Sequence, residues 1–87
     1  MIDKIVASQK VKNMLIKNLS ERVAKLLKLI RLEKKISQEK LALKCNIDRK
    51  YIHIIEKGNS NISIGMLNKL CDGLEIEILD FFKRLSK

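Results

Sequence analysis

The sequence predicts an all-α fold, and three observations predict it. Proline is absent and glycine occurs 3 times in 87 residues, so the tight turns of a β-sandwich or barrel are missing. Aromatic residues make up 3% of the chain, too few for aromatic-rich strands. Thirteen Ile and thirteen Leu are spread among Lys and Glu, the composition of packed helices. A chain of 10.1 kDa is one small domain, and it buries only about 60–65% of its unfolded surface. A large enclosed catalytic cavity is therefore not expected.

The elements follow in order. Residues 1–19 form an N-terminal extension with apolar residues at Ile2, Ile5 and Val6, then Val11, Met14, Leu15 and Leu19. This spacing fits an amphipathic helix with Lys10, Lys12 and Lys17 off the stripe. Three roles fit the extension: a helix bracing a dimer, an arm reaching along a binding partner, or a disordered start. Residues 20–87 read as the domain proper. Its first helix is expected from Ser20, as N-cap, to Lys34, with Val23, Leu26, Leu27 and Ile30 on one face. Ser37 caps a second helix carrying Leu41, Ala42 and Cys45. Asn46 accepts a left-handed backbone and ends it in a sharp turn. Asp48 caps a third helix with Ile52 and Ile55 inward. Gly58 to Asn61 is a loop, and Ser63 caps a fourth helix carrying Leu67, Leu70, Cys71 and Leu74. Gly73 and Glu75 are expected to break it, and a last helix should run from Ile78 to Arg84.

The net charge of +9 points to a polyanion without naming one. Residues 1–57 hold fifteen Lys/Arg against six Asp/Glu, whereas residues 58–87 hold four of each. The excess thus belongs to the first two-thirds, and the last third is neutral and apolar. Cys45 and Cys71 lie in apolar periodic segments and read as buried free thiols. With His53 as the sole histidine they make no zinc site. No catalytic constellation, phosphate-cradling glycine loop or cofactor motif is present, so neither an enzyme nor a bound cofactor is expected. Met1 to Leu19 is broken by charges and is no signal peptide, and no apolar run approaches the ~20 residues of a membrane span. A cytoplasmic protein with no membrane partner is expected.

Gln38 to Lys57 meets the demands of a helix-turn-helix. Ala42 is small where two helices approach, Asn46 supplies the turn, and Leu41, Cys45, Ile47, Ile52 and Ile55 face inward. The outward residues of the second helix are then Arg49, Lys50, Tyr51, His53, Ile54 and Lys57. Arg pairs bidentately with guanine, Lys neutralises phosphate, Tyr can donate to phosphate, and an exposed Ile54 suits a thymine methyl.

Here the sequence resembles a known family. Ile36-Ser37-Gln38-Glu39-Lys40-Leu41-Ala42, Asn46-Ile47-Asp48-Arg49-Lys50-Tyr51-Ile52 and Ile55-Glu56-Lys57-Gly58 are similar to the lambda-repressor/Cro-type helix-turn-helix of xenobiotic-response-element regulators. The likeness spans Ser20 to Phe82. It implies a compact five-helix DNA-binding domain that acts as a homodimer on a pseudo-palindromic operator in double-stranded DNA. It further implies that Gln38 holds a phosphate and buttresses the recognition helix, that Arg49, Lys50, His53 and Ile54 reach base edges, and that Tyr51 serves base or backbone. Lys57 and Asn59 would contact phosphate, and Arg31 and Glu56 would form a structural ion pair. Four positions depart from the family: Asn46 and Lys35 replace glycines, Lys40 an acid, and Ile62 a proline.

Ile30-Arg31-Leu32-Glu33-Lys34 and Asp48-Arg49-Lys50-Tyr51-Ile52 further resemble controller proteins of restriction–modification systems. Small phage or plasmid repressors and antitoxins share the same core. Phe81, Phe82, Ile76, Ile78 and Leu79 are too apolar for a free C-terminus: some must fill the core and the rest form an exposed patch, and Ile76, Ile78, Leu79 and Phe82 read as the dimer interface. No sensory domain fits, so no small-molecule ligand is expected and regulation would follow concentration. The alternative is an antitoxin or adaptor that turns the apolar C-terminal patch to another protein.

Overall fold

The computed structural model describes residues 9–58 and 60–87, with side chains from Asn18 onward. The candidate Asn59 and the first part of the N-terminal extension lie outside the described residues. Five helices follow one another: α1 (Gln9–Glu33), α2 (Gln38–Cys45), α3 (Arg49–Glu56), α4 (Ile64–Gly73) and α5 (Ile78–Leu85). No strand occurs among the described residues.

α1 departs from expectation. It spans 25 residues, about 37 Å, and runs unbroken through Ser20, which is not an N-cap. No glycine or proline lies between Gln9 and Glu33, so nothing in the chain stops the helix there. The Ser20 hydroxyl instead donates to Asn61 Oδ1 at 3.1 Å, tying α1 to the loop before α4. The boundary drawn at 19/20 therefore falls inside one helix.

Three of the joints share one construction. Lys35, Asn46 and Glu75 take left-handed backbone angles, with φ of 57°, 55° and 58°. The N–H of the next residue then reaches back five positions: Ile36 to Arg31 O, Ile47 to Ala42 O and Ile76 to Cys71 O, each at 3.0 Å. This double closure satisfies carbonyls that a helix end leaves unpaired. In each case the residue after the left-handed one is isoleucine, half-buried and packed against the core. Ile47 thus sits at the core's edge. Lys35, where the resemblance puts a glycine, takes a left-handed conformation that glycine enters freely. The helix starts are closed by side chains: Ser37 Oγ accepts from Lys40 N, Asp48 Oδ1 from Lys50 N, and Ser63 Oγ from Met66 N, at 2.9–3.0 Å.

The core gathers Val23, Leu27 and Ile30 of α1, Leu41, Ala42 and Cys45 of α2, Ile52 and Ile55 of α3, Leu67, Leu70 and Cys71 of α4, then Leu74 and Phe81. Gly73 is not the helix breaker it was expected to be. It is the last residue of α4, and a Cβ there would lie 2.6 Å from Cys45 Sγ and 2.9 Å from Leu41 Cδ1. Its smallness lets α4 press against α2, while Glu75 makes the turn. Both cysteines are buried and free. Burial pushes the Cys71 thiol up to about 11 and raises that of Cys45 in the same way. α5 is strapped to α1 at both ends of their contact. Arg84 pairs through two bonds with Glu33, and Arg22 Nη2 donates to Leu85 O at 2.6 Å. Among the described residues, no helix is long and apolar enough to cross a membrane.

Candidate nucleic-acid interface

α2 and α3 meet through Leu41, Ala42, Cys45, Ile52 and Ile55, all buried. With Ile52 and Ile55 turned inward, helical geometry turns the intervening residues outward. Arg49, Lys50, Tyr51, His53 and Ile54 are all exposed, as is Lys57 beyond the helix end. Ile54 is 47% exposed, a large apolar side chain among cations. Asp48 is occupied as the N-cap, and Glu56 is turned away into the protein. The outer face of α3 is therefore cationic with one aliphatic surface.

A polar cluster fixes this helix from behind. Arg31, 7% exposed, donates from Nε to Glu56 Oε2 at 2.6 Å and from Nη2 to Oε1 at 3.0 Å. Its Nη1 donates to Ile36 O at 2.8 Å, so one guanidinium joins α1, the first joint and the end of α3. Gln38 Nε2 adds a bond to Glu56 Oε1 at 3.0 Å, bringing in the start of α2. A buried arginine with three partners and a buried carboxylate with three donors leave little charge uncompensated. α3 is thus held in one register against two other helices.

The chain leaves α3 through Gly58 at φ 80°, a region glycine enters freely. A Cβ on Gly58 would also stand 3.3 Å from the backbone of Glu21. This close approach brings the chain beyond α3 against the middle of α1.

The residues expected at a dimer surface divide. Ile76 and Ile78 are half-buried and pack against the chain's own core. Leu79 is 67% exposed and Phe82 37% exposed, on α5. Besides Leu29 and Leu32 on α1, sequence reading missed the exposed aliphatics Leu43 on α2 and Ile64 at the start of α4. Both fall off their helices' inward stripes, which was the available signal. No group of three or more His, Cys, Asp or Glu that could hold a metal ion occurs among the described residues.

Comparison with known proteins places this architecture. A family profile described as helix-turn-helix matches residues 27–81. The control protein C.BamHI of Bacillus amyloliquefaciens is 43% identical over 56 residues, covering 60% of this chain and 69% of that protein. The control protein C.MunI of Mycoplasma sp is 39% identical over 62 residues, covering 70% of this chain and 84% of that protein. Among solved structures, the restriction–modification controller protein C.Esp1396I, a tetramer in complex with its natural 35-base-pair operator, superposes with a TM-score of 0.76. It is 43% identical, over 78% of this chain and 90% of that one. The same protein bound to a 25-base-pair operator site matches with a TM-score of 0.75 at 43% identity, over 78% of this chain and 90% of that one. The profile begins at Leu27, so the unmatched residues of this chain lie chiefly in the N-terminal half of α1 and before it. By domain and by relatives, this chain belongs to the helix-turn-helix family and, within it, to the restriction–modification control proteins.

Proposed function

We infer that the chain is a transcription regulator that reads double-stranded DNA as a homodimer on a pseudo-palindromic operator, within a restriction–modification system. The observation that carries this is the outer face of α3: exposed Arg49, Lys50, Tyr51, His53 and Ile54 on a helix locked from behind by Arg31, Glu56 and Gln38. Such a face suits the major groove. Arg49, Lys50, His53 and Ile54 are the residues for base edges, with Tyr51 for base or backbone. Lys57 and Asn59 are assigned to phosphates flanking the helix. Gln38 has a second amide hydrogen to give to a phosphate, while its first remains on Glu56. Leu79 and Phe82 supply the apolar contact between protomers, and Ile76 and Ile78 support them from beneath. The protein binds rather than catalyses, and works where DNA is, in the cytoplasm.

Selection of bound sequences from random duplex DNA tests the reading. A symmetric consensus is expected, with half-sites about 34 Å apart, one helical turn. Absence of enrichment would refute a sequence-reading function. For six phosphates neutralised per complex, log K should fall against log salt with a slope of about −5. Arg49→Ala should lose about 1–3 kcal/mol of base discrimination. Lys57→Ala should weaken all sequences alike and flatten the slope by about 1.

A further inference from the structure

α1 begins well before the helix-turn-helix needs it, and an apolar groove opens where it leaves the domain. The groove has a volume of about 290 Å³ and is walled by Leu19, Val23, Ile62, Ile64, Phe82 and Leu85. It has no charged residue in its lining. Leu19 and Ile64 on its rim are 48% and 67% exposed. From Ser20 backward α1 continues to Gln9, about 16 Å of helix. By sequence, Val11, Leu15 and Leu19 recur every four residues on the row that leads to Val23 in the groove.

We propose that the segment of α1 from Gln9 to Leu19 lies in this groove on a second copy of the chain, so that two protomers exchange helical arms across their two-fold axis. This rests on the homodimer reading and names the surface that makes the dimer stable. Area favours it. A stable interface buries about 800 Å² on each partner, and the exposed apolar surface of α5, a helix of 8 residues carrying Leu79 and Phe82, is only a part of that. The groove adjoins the exposed part of α5 through Phe82 and the base of the arm through Leu19. Symmetry favours it as well, because a patch holding both an apolar row and the slot for such a row is self-complementary. A lining that is mainly aliphatic and carries no charge fits an aliphatic helix face better than a phosphate backbone. Lys10, Lys12 and Lys17 stand off the row, where salt screens the repulsion between two arms.

Sedimentation of the full chain over a concentration series, with DNA binding measured in parallel, tests this. Leu15→Glu and Leu19→Glu should each weaken the dimer by about a hundredfold or more, because every substitution occurs twice per interface. Leu32→Glu, on α1 but remote from the groove, should leave dimerisation unchanged. Circular dichroism should show native helix content in all three, and Leu15→Glu carries the test if Leu19→Glu perturbs folding. A Leu15→Glu protein that dimerises as the wild type does overturns the proposal, even where it binds DNA more weakly, which would make the arm a DNA contact. If Leu79→Glu breaks the dimer and Leu15→Glu does not, the homodimer stands and the arm exchange falls. A wild type that is monomeric in solution and binds DNA as a monomer overturns both.

Discussion

Replacing Glu56 by alanine would leave the Arg31 guanidinium buried, with the Ile36 carbonyl as its remaining partner. The magnitude follows from the bonds removed. Two charge-assisted bonds from Arg31, at 2.6 and 3.0 Å, are lost together with the bond from Gln38 at 3.0 Å. At about 1.5–3 kcal/mol for each bond to a charged group, the Arg31 pair alone accounts for about 3–6 kcal/mol. That agrees with the cost of about 3–5 kcal/mol for stranding one member of a buried ion pair. Since small domains are stable by only about 5–15 kcal/mol, Glu56→Ala should be close to the folding threshold. Urea unfolding at low temperature, where the folded state persists, is the suitable assay. In thermal melts, 3 kcal/mol corresponds to a loss of about 12–24 °C for a domain of this size. Arg31→Met combined with Glu56→Leu removes both charges and fills similar volume. It should recover most of the loss and lie within about 1–2 kcal/mol of the wild type. A Glu56→Ala cost below about 1 kcal/mol, or single losses that simply add in the double variant, would refute the account of this cluster as a buried charge network.

The joints, packing and thiols can be tested in the same way. Lys35→Gly should stabilise the protein by about 0.5–1 kcal/mol, because the left-handed backbone costs a side chain about 1–2 kcal/mol and glycine's extra freedom when unfolded cancels part of the gain; a destabilised variant in chemical denaturation would contradict the joint described. Gly73→Ala should cost about 1–3 kcal/mol by overpacking against Cys45 and Leu41, and less in a Cys45→Ala background, as read by thermal melts. Neither cysteine should react with a thiol reagent at pH 8 until the protein unfolds; rapid labelling of the native state would show that the burial is wrong. Because the folded thiols bind protons more tightly than the unfolded ones, their stabilising effect is full below about pH 8.5. It should fall as pH rises from there toward about 11, the value for folded Cys71, and a stability flat across that window would contradict the raised thiols.

Much of this arrangement was legible in the sequence because it is written locally. Ser37, Asp48 and Ser63 stand just before apolar stripes and cap helices, and Asn46 announces a left-handed turn through its own side-chain chemistry. The outward set on α3 follows from Ile52 and Ile55 alone, since two inward residues three apart fix the helix's orientation. What escaped was set by tertiary contact or by absence. Ser20 looks like an N-cap in any short window, but only a break in the chain before it would have made it one. Gly73 reads as a breaker until Cys45 is brought across from α2 to occupy its missing side chain. Lys35 carries no local sign of a left-handed conformation. Its signal is the following isoleucine, which recurs after Asn46 and Glu75 and drops into the core each time.

The joints have a kinetic consequence too. They turn the chain within three or four residues and use left-handed residues in a sequence with no proline at all. No X-Pro bond waits to isomerise, so refolding should lack the slow phase of about 10–100 s that such bonds impose. Small all-helical domains fold within microseconds to milliseconds. A newly made chain would then be competent almost as soon as it leaves the ribosome. The delay before a regulator of this kind acts would lie in the meeting of two protomers, a step whose rate rises with the square of their concentration.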